Sequence, residues 1–407
     1  MRFFFKFIER NIAEIDHDPA LRIYGGLLAF QHVLTFLLWK FTFPLEQILA
    51  KGRTPICWPF FEDCHALRLL DATGVRTIAW CYLAIAVVST ALFLSRRVKT
   101  AYLVLLGLNL LKFLILAQDF QLRANQHYMA GFVSIAYLFL PHKRSVLRFL
   151  VVSFYFWSGT LKLNNEWLSG AALYGQDRLW FKGALHPWIF GYVVVLELFL
   201  AFGVLAKQSW IFWSTLVQLI FFHIFSWPIV GFFYPTTMFT ILAIFPLCRL
   251  KDAESGESKL ISLFRGREPR ITYATLALFS MLQVIPYAFP GDTAITGEGR
   301  IFALHMFDAQ VVCNSNIIVR LKDGTLSRLN VIPKLPVRIR CDPIVYFNVA
   351  HQLCRNFAKV GTVEDLDLYL RSRRSSEDSL RPVLEVKNFC RQSLTYDLWR
   401  HNSWILT

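Results

Sequence analysis

The chain is 407 residues long, and 55% of these residues are hydrophobic, including 38 phenylalanines, whereas only 17% are charged. This balance excludes an ordinary soluble domain and predicts a polytopic membrane protein. The net charge of +15 would suit nucleic-acid binding in a soluble protein. In a membrane protein, lysines and arginines in the loops at the membrane faces explain it more simply. Nucleic acid is therefore not expected as a partner.

Nine apolar segments are candidates for membrane spans. They lie at residues 21–43, 76–95, 100–118, 127–141, 146–163, 187–206, 209–226, 228–247 and 271–290. The fourth and fifth are short for a span. Residues 1–18 are expected to remain in the mature protein as an amphipathic or irregular lead-in on the cytoplasmic face, because the first segment has no small-residue cleavage site. We therefore expect an all-α transmembrane domain, with about nine helices, over residues 1–290.

The basic residues of alternate loops predict the orientation. The amino end and the loops in register with it carry sixteen Lys and Arg residues, against six in the opposite set. The more basic set should be cytoplasmic, which places residues 291–407 outside. Six of the eight cysteines lie on that oxidising side and suggest disulfides: Cys57, Cys64, Cys313, Cys341, Cys354 and Cys390. A metal site is the rival interpretation, but no CxxC or HxxxH spacing supports it, so no metal is expected.

Residues 291–407 are predicted to form a small α+β extracytoplasmic domain. Ile317–Leu321 and Leu326–Ile332 are β-rich runs separated by Lys322-Asp323-Gly324-Thr325, which is a hairpin signal. A helix should follow at Pro343–Lys359, with Asp342 as its N-cap and Gly361 after its end.

A further strand is possible at Leu366–Leu370. It precedes the basic run Arg371-Ser-Arg-Arg374. Such a charge run is usually a solvated face, and binding of an acidic peptide or a lipid headgroup is the alternative.

Three ionisable side chains lie inside apolar segments at a similar depth. Lys162 is fourteen residues, or about 21 Å along a helix, beyond Arg148. His127 and His223 are each sixteen residues, or about 24 Å, from the basic residue at the cytoplasmic end of their segment. A single membrane histidine is more often a packing residue, and a lysine near a helix end more often snorkels. Their common depth instead favours a shared polar cavity towards the outer side.

The run Gly159-Thr-Leu-Lys162-Leu-Asn-Asn-Glu-Trp167-Leu-Ser-Gly170 resembles a motif of the vitamin K-dependent γ-glutamyl carboxylases and their bacterial relatives, the horizontally transferred transmembrane (HTTM) proteins. That motif is Gly-x-x-Lys-Leu-x-x-x-Trp-x-x-Gly. Supporting matches occur in the family's order: Asp18-Pro-Ala, Cys57-x-Pro-Phe, Asn125-Gln-His127-Tyr, Phe222-His223 and Arg320-Leu-Lys-Asp-Gly324. Together these matches span most of the chain.

The resemblance implies a chemistry and a set of site residues. In the family, a lysine at the Lys162 position deprotonates a reduced naphthoquinone (vitamin K or menaquinol). The quinol then reacts with oxygen to give a strong base, and a peptide glutamate is carboxylated with carbon dioxide. His127 would hold the lysine neutral or hydrogen-bond the quinol, and His223 would line the cavity or bind the oxygenated intermediate. Asn125, Gln126 and Trp167 would bind substrate. The family also implies a disulfide between Cys57 and Cys354.

The chain departs from the carboxylases in two places. Only 117 residues follow residue 290, and the loop between the fourth and fifth segments is reduced to Pro141-His-Lys-Arg-Ser. Propeptide-directed carboxylation is therefore in doubt, and a smaller relative in a bacterial inner (plasma) membrane is the better interpretation. Its partners would be membrane lipid, quinol and a glutamate-containing peptide or secreted protein. The alternative is a non-catalytic HTTM protein that binds a lipid, a quinone or an exported peptide, with Lys162 as an anchor.

Overall fold

The computed structural model describes residues 2–61, 64–173, 186–255, 267–305, 311–332, 335 and 339–407. Its helices, in chain order, are α1 (Arg2–His17), α2 (Pro19–Phe41), α3 (Leu45–Leu49), α4 (Ala72–Leu94), α5 (Val98–Ala117), α6 (Asn125–Phe139), α7 (Lys143–Thr160), α8 (Asn165–Leu168), α9 (His186–Leu198), α10 (Ser209–Val230), α11 (Phe233–Leu242), α12 (Ile244–Ser255), α13 (Arg267–Val284), α14 (Thr293–Thr296) and α15 (Pro343–Val360). Short 3-10 segments at Leu200–Leu205 and Ile285–Ala288 follow α9 and α13.

Within the described ranges, seven helical segments are long and apolar enough to cross a membrane. They are Pro19–Phe41, Ala72–Leu94, Val98–Ala117, His186–Leu205, Ser209–Val230, Phe233–Lys251 and Arg270–Ala288. The prediction of a polytopic membrane protein is therefore confirmed. The two remaining predicted segments correspond to α6, which has 15 residues, and to α7, which begins with Lys143 and Arg144.

The amino-terminal helix is fastened to the start of α7. The side chain of Asp18 caps α2 by accepting hydrogen bonds from the amides of Ala20 and Leu21, and this explains the Asp-Pro-Ala run as a helix start. Asp18 also pairs with Arg144. The backbone amide of Lys143 donates to Glu14 at 2.7 Å. Two loops of the more basic set therefore lie on the same face of the bundle.

The carboxyl-terminal part contains one antiparallel sheet. Its strands are β1 (Val311–Leu321), β2 (Leu326–Leu329), β3 (Val363–Arg374) and β4 (Arg381–Val386), in the order β2-β1-β3-β4. The predicted hairpin is confirmed, although β1 begins earlier and β2 ends earlier than expected. The predicted third strand lies inside β3, so the basic run belongs to the strand and does not follow it.

The predicted tail helix is confirmed as α15. Asp342 caps it by accepting from the amide of Ile344 at 3.0 Å, and Gly361 ends it with a positive φ of 74°. The helix packs on β3, and the hydrophobic core between them also takes in Ile56 and Phe120 from the loops at the ends of the membrane helices. The sheet and its helix therefore pack against the bundle through a continuous apolar contact.

The prediction of disulfides is confirmed, but the expected pairing of Cys57 with Cys354 is wrong. Cys57 bonds to Cys64, Cys313 to Cys341, and Cys354 to Cys390. Each cysteine finds a partner on a neighbouring stretch of backbone, with Cα atoms 5.4 to 5.5 Å apart. The first outer loop nevertheless contacts the tail helix.

That contact is made by hydrogen bonds. The amide of Cys57 donates to Asn348 at 3.1 Å, and Gln352 donates to the carbonyl of Pro55. The tail is thus attached at the place where the sequence predicted a cross-link, but without a covalent bond.

Candidate functional site

The Gly159 to Gly170 motif forms the end of α7 and the short helix α8. Asn164 begins α8 by accepting from the amide of Trp167 at 2.9 Å. A Cβ on Gly159 would lie 2.9 Å from Leu198 and 3.0 Å from Glu197, so only glycine lets α7 approach α9 this closely. Gly170 has a φ of +80°, and a Cβ there would meet Phe190 at 2.8 Å. The presence of glycine at both motif positions therefore has a steric explanation.

Lys162 is the buried cation that these glycines position. Its side chain is 8% exposed, and its Nζ lies 2.5 Å from Oε2 of Glu197, whose side chain is 3% exposed. Nζ also donates to the carbonyl of Ser158 at 3.3 Å and lies 5.2 Å from the centre of the Trp167 ring. The indole N–H of Trp167 donates to the carbonyl of Phe190 at 3.2 Å. Lysine, tryptophan and both glycines of the motif thus build one small structure.

His223 lies beside this pair. It is fully buried on α10, and its Nε2 is 2.7 Å from the hydroxyl of Tyr155 on α7. His223 interacts electrostatically with Lys162, and Tyr155 does so with Glu197. The structure therefore brings together two of the three predicted titratable groups, and it adds a carboxylate and a phenol.

His127 lies in another part of the bundle. Its ring packs against Trp39 of α2, with the ring centres 6.2 Å apart, and the residue is 7% exposed. Its neighbours in sequence are also buried or engaged: Gln126 is 4% exposed, and Asn125 donates to the carbonyl of His305 at 2.7 Å. The roles expected for these three residues and for Trp167 remain predictions.

A cleft of about 180 Å³ opens next to the motif. It lies between the turn after α7, the outer end of α13 and the segment that leads to the sheet. Its lining combines apolar side chains with the basic residues Arg300, His305 and Arg374. A cavity of about 150 Å³ holds a benzene molecule. This cleft therefore admits a ring or a side chain.

Arg374 joins the motif to the sheet. Its guanidinium bonds Glu166, on α8, at 2.7 Å and Asp292 at 2.6 and 2.8 Å, and Ser376 also donates to Glu166. We call these four residues the clamp. The clamp corrects the interpretation of the basic run as a solvated face, because Arg374 is engaged within the protein, whereas Arg371 is exposed.

The clamp should weaken in acid. Burial raises the pKa of Glu166, but the hydrogen bonds from Ser376 and Arg374 outweigh burial, so this pKa lies below its ordinary value of 4.5. Burial also raises the pKa of Asp292. The hydrogen bonds from Arg374 again outweigh it, so the pKa of Asp292 lies below its ordinary value of 3.8. A lowered carboxylate pKa contributes stability that is complete above the ordinary value and is lost as the pH falls through the folded value.

We expect Arg374→Gln to lower the unfolding temperature at pH 7, and the deficit relative to the unsubstituted protein to shrink towards pH 3. Arg371→Gln, on the same strand, is the matched control and should show no such trend. A deficit that does not change with pH would mean that the clamp carboxylates do not carry the effect.

Glu197 is not among the site residues predicted from the sequence. It is the one acidic residue in the apolar segment 187–206, and an intramembrane carboxylate signals a functional or paired group by default. Tyr155 carried no comparable signal, because a tyrosine in an apolar helix is ordinary. Its role depends on the packing of α7 against its neighbours.

No protein-family model, curated protein or solved structure matches this chain. The resemblance to the carboxylases and HTTM proteins rests on the motifs alone. The most specific of them forms the buried lysine site at the junction of the bundle and the sheet.

Proposed function

We propose that this protein is a membrane-embedded enzyme that oxidises a reduced naphthoquinone with oxygen, and that Lys162 is its base. The observation that carries the proposal is the 2.5 Å contact of the buried Lys162 amine with the buried Glu197 carboxylate. A proton can pass from Nζ to Oε2 without leaving the site. In a low-dielectric surrounding the resulting neutral pair avoids two buried charges, and the amine is then free to accept a proton.

The surroundings of the pair suit a quinol. One apolar cluster contains Trp167, Phe190 and Phe222, and the ring centre of Trp167 lies 5.2 Å from the Lys162 amine. Aromatic faces of this kind pack well against a planar ring. The amine of Lys162 and the carboxylate of Glu197 are polar groups that can form hydrogen bonds with a quinol hydroxyl. When bound, the quinol supplies the electrons that reduce oxygen. Lys162 takes the hydroxyl proton, Glu197 holds the proton that the lysine gave up, and the surrounding rings exclude water.

We also propose that the enzyme carboxylates a peptide glutamate, and the cleft supports this second reaction. It adjoins the lysine motif and has basic residues in its wall. An acidic side chain could enter there from the side of the sheet, while the quinol would enter from the membrane.

A non-catalytic role has one specific observation in its favour. A close lysine–glutamate pair is also what a purely structural ion pair between α7 and α9 would look like. The protein would then bind a lipid, a quinone or an exported peptide, with Lys162 fixing the packing of the two helices.

An activity assay on the unsubstituted protein distinguishes between these functions. Purified protein in nanodiscs should convert reduced vitamin K or menaquinol to its epoxide in the presence of oxygen, and should incorporate labelled carbon dioxide into a glutamate-containing peptide. Epoxide without peptide label would restrict the function to quinol oxygenation. If neither product forms, although labelled quinone binds, the non-catalytic role stands.

We further propose that α6 and α7 also lie at membrane depth, which gives nine crossings in a bacterial plasma membrane with the sheet outside. Arg249 bonds the carbonyl of Lys207, so these two basic loops share a face, as the two at the amino end do. Reporter fusions after Arg249 and after Thr407 should report opposite sides of the membrane. The same side for both would contradict the arrangement.

A further inference from the structure

A second buried cation lies in the bundle, on α5. Lys112 is 6% exposed. Leu108 and Ile115, four residues before it and three after it, share its helix face. Leu108 and Ile115 both belong to the apolar cluster that also contains Trp39 of α2 and Tyr82 of α4. The lysine side chain is therefore directed into the space between α2, α4 and α5.

This region offers hydrogen-bond donors without acceptors. Among the described residues, Lys112 has neither a hydrogen bond nor an ion pair, and the indole N–H of Trp39, which is 1% exposed, has no acceptor. The hydroxyl of Tyr82 and Nδ1 of His32 are hydrogen-bonded to each other at 2.5 Å, and His32 is the group that interacts electrostatically with Lys112. The nearby carboxylate of Asp119 is held by Arg68 at 2.6 Å.

A buried ammonium without a partner is costly, by several kcal/mol, and an unpaired N–H adds to that cost. Both are relieved by one group with two acceptor oxygens and a single negative charge. A carboxylate has this composition, since one oxygen can accept from Lys112 and the other from Trp39. A positively charged or neutral apolar ligand would relieve neither.

The depth of the site indicates where a carboxylate would come from. Lys112 is five residues before the end of α5 that adjoins the sheet, or about 7.5 Å inside that end. A phospholipid phosphate lies further out, in the headgroup layer. The outward face of α4 is exposed at Ile78, Trp80 and Ile85, as expected for a helix in contact with lipid. An amphiphile can therefore reach the site from the bilayer.

We propose that Lys112 and Trp39 form a binding site for a carboxylate-headed amphiphile of the fatty-acid class. Its headgroup lies on the two donors, and its chain lies among the apolar side chains between α2 and α4. The site is separate from Lys162 and does not depend on the proposed enzymatic function.

Binding of carboxyl-labelled palmitate to delipidated protein in detergent tests the proposal, with acetate as the water-soluble source of the same group. We expect saturable binding of palmitate at one site, weakened about 10-fold or more by Lys112→Met, since a hydrogen bond to a charged group contributes about 1.5–3 kcal/mol. Trp39→Phe should weaken it several-fold. Lys40→Met, an exposed lysine at the end of α2, is the matched control and should bind as the unsubstituted protein does.

The remaining outcomes are equally decisive. Competition by acetate as strong as that by palmitate would overturn the assignment to an amphiphile and leave a site for dissolved carboxylates. Methyl palmitate binding as tightly as palmitate would overturn the proposal, because the ester has no charge for Lys112. Unchanged palmitate affinity in Lys112→Met would also overturn it, as would no binding of either acid to the unsubstituted protein. Should Lys112→Met fail to fold, the ester comparison and Trp39→Phe still decide.

Discussion

Lys162→Arg is expected to lower the rate of quinol oxidation by at least about 100-fold, the lower range of what a positioned general base contributes. A guanidinium remains protonated at any working pH and cannot accept the quinol proton. It can, however, still pair with the carboxylate of Glu197, often through two parallel hydrogen bonds. The arginine variant therefore removes the base and retains the ion pair.

Alanine is a less informative substitution at this position. Lys162→Ala leaves Glu197 buried without a partner, so a loss of activity could reflect a loss of fold. We expect the arginine variant to elute as the unsubstituted protein does on gel filtration and to keep its unfolding temperature within a few degrees. Lys40→Arg is the control for a lysine at a helix end and should keep full activity. Epoxide formation at the normal rate by Lys162→Arg would refute the assignment of Lys162 as the base.

Much of the architecture could be predicted from the sequence, because its signals are local. Apolar segments of membrane length fix most of the helices, and the Asp342-Pro343 start and the Gly361 end fix α15 to within a residue. The turn at Asp323-Gly324 fixes the first hairpin. The strand β4 was not expected from the sequence, because Arg381–Val386 contains arginine and proline. It is a strand because it pairs with β3. Pairing of this kind depends on tertiary structure.

The partners of the site residues were much harder to predict. Lys162, His127 and His223 lie at a similar predicted depth, but depth along a helix does not determine which face of the helix a side chain occupies. The face that α6 presents places His127 against Trp39, whereas the turn after α7 and the helix α10 bring Lys162 and His223 near each other. The disulfide expectation failed for a related reason. Cys57 and Cys354 do lie on adjoining parts of the protein, but each has another cysteine on the neighbouring backbone.

The stability of the lysine–glutamate pair separates the structural role from the catalytic one. Removal of one member of a buried pair costs about 3–5 kcal/mol, because the other charge is left uncompensated. Glu197→Leu alone should therefore lower the free energy of unfolding in detergent micelles by this amount, and so should Lys162→Met alone. Replacement of both by apolar residues of similar volume is often neutral or even stabilising. The double variant Lys162→Met/Glu197→Leu should accordingly regain most of the loss.

Activity should not follow stability in this series. If Lys162 is the base, the double variant is folded but oxidises quinol as slowly as Lys162→Met alone. If the pair only holds α7 against α9, activity returns with stability in the double variant, because the packing at Gly159 is restored without the charges.

Glu197→Gln tests whether Glu197 exchanges a proton with Lys162. Its amide still accepts a hydrogen bond from Lys162 but cannot take up its proton, so the variant should fold, oxidise quinol slowly at pH 7 and recover as the pH rises, when hydroxide removes the proton instead. A pH profile parallel to that of the unsubstituted protein would show that Glu197 orients Lys162 and does not exchange a proton with it.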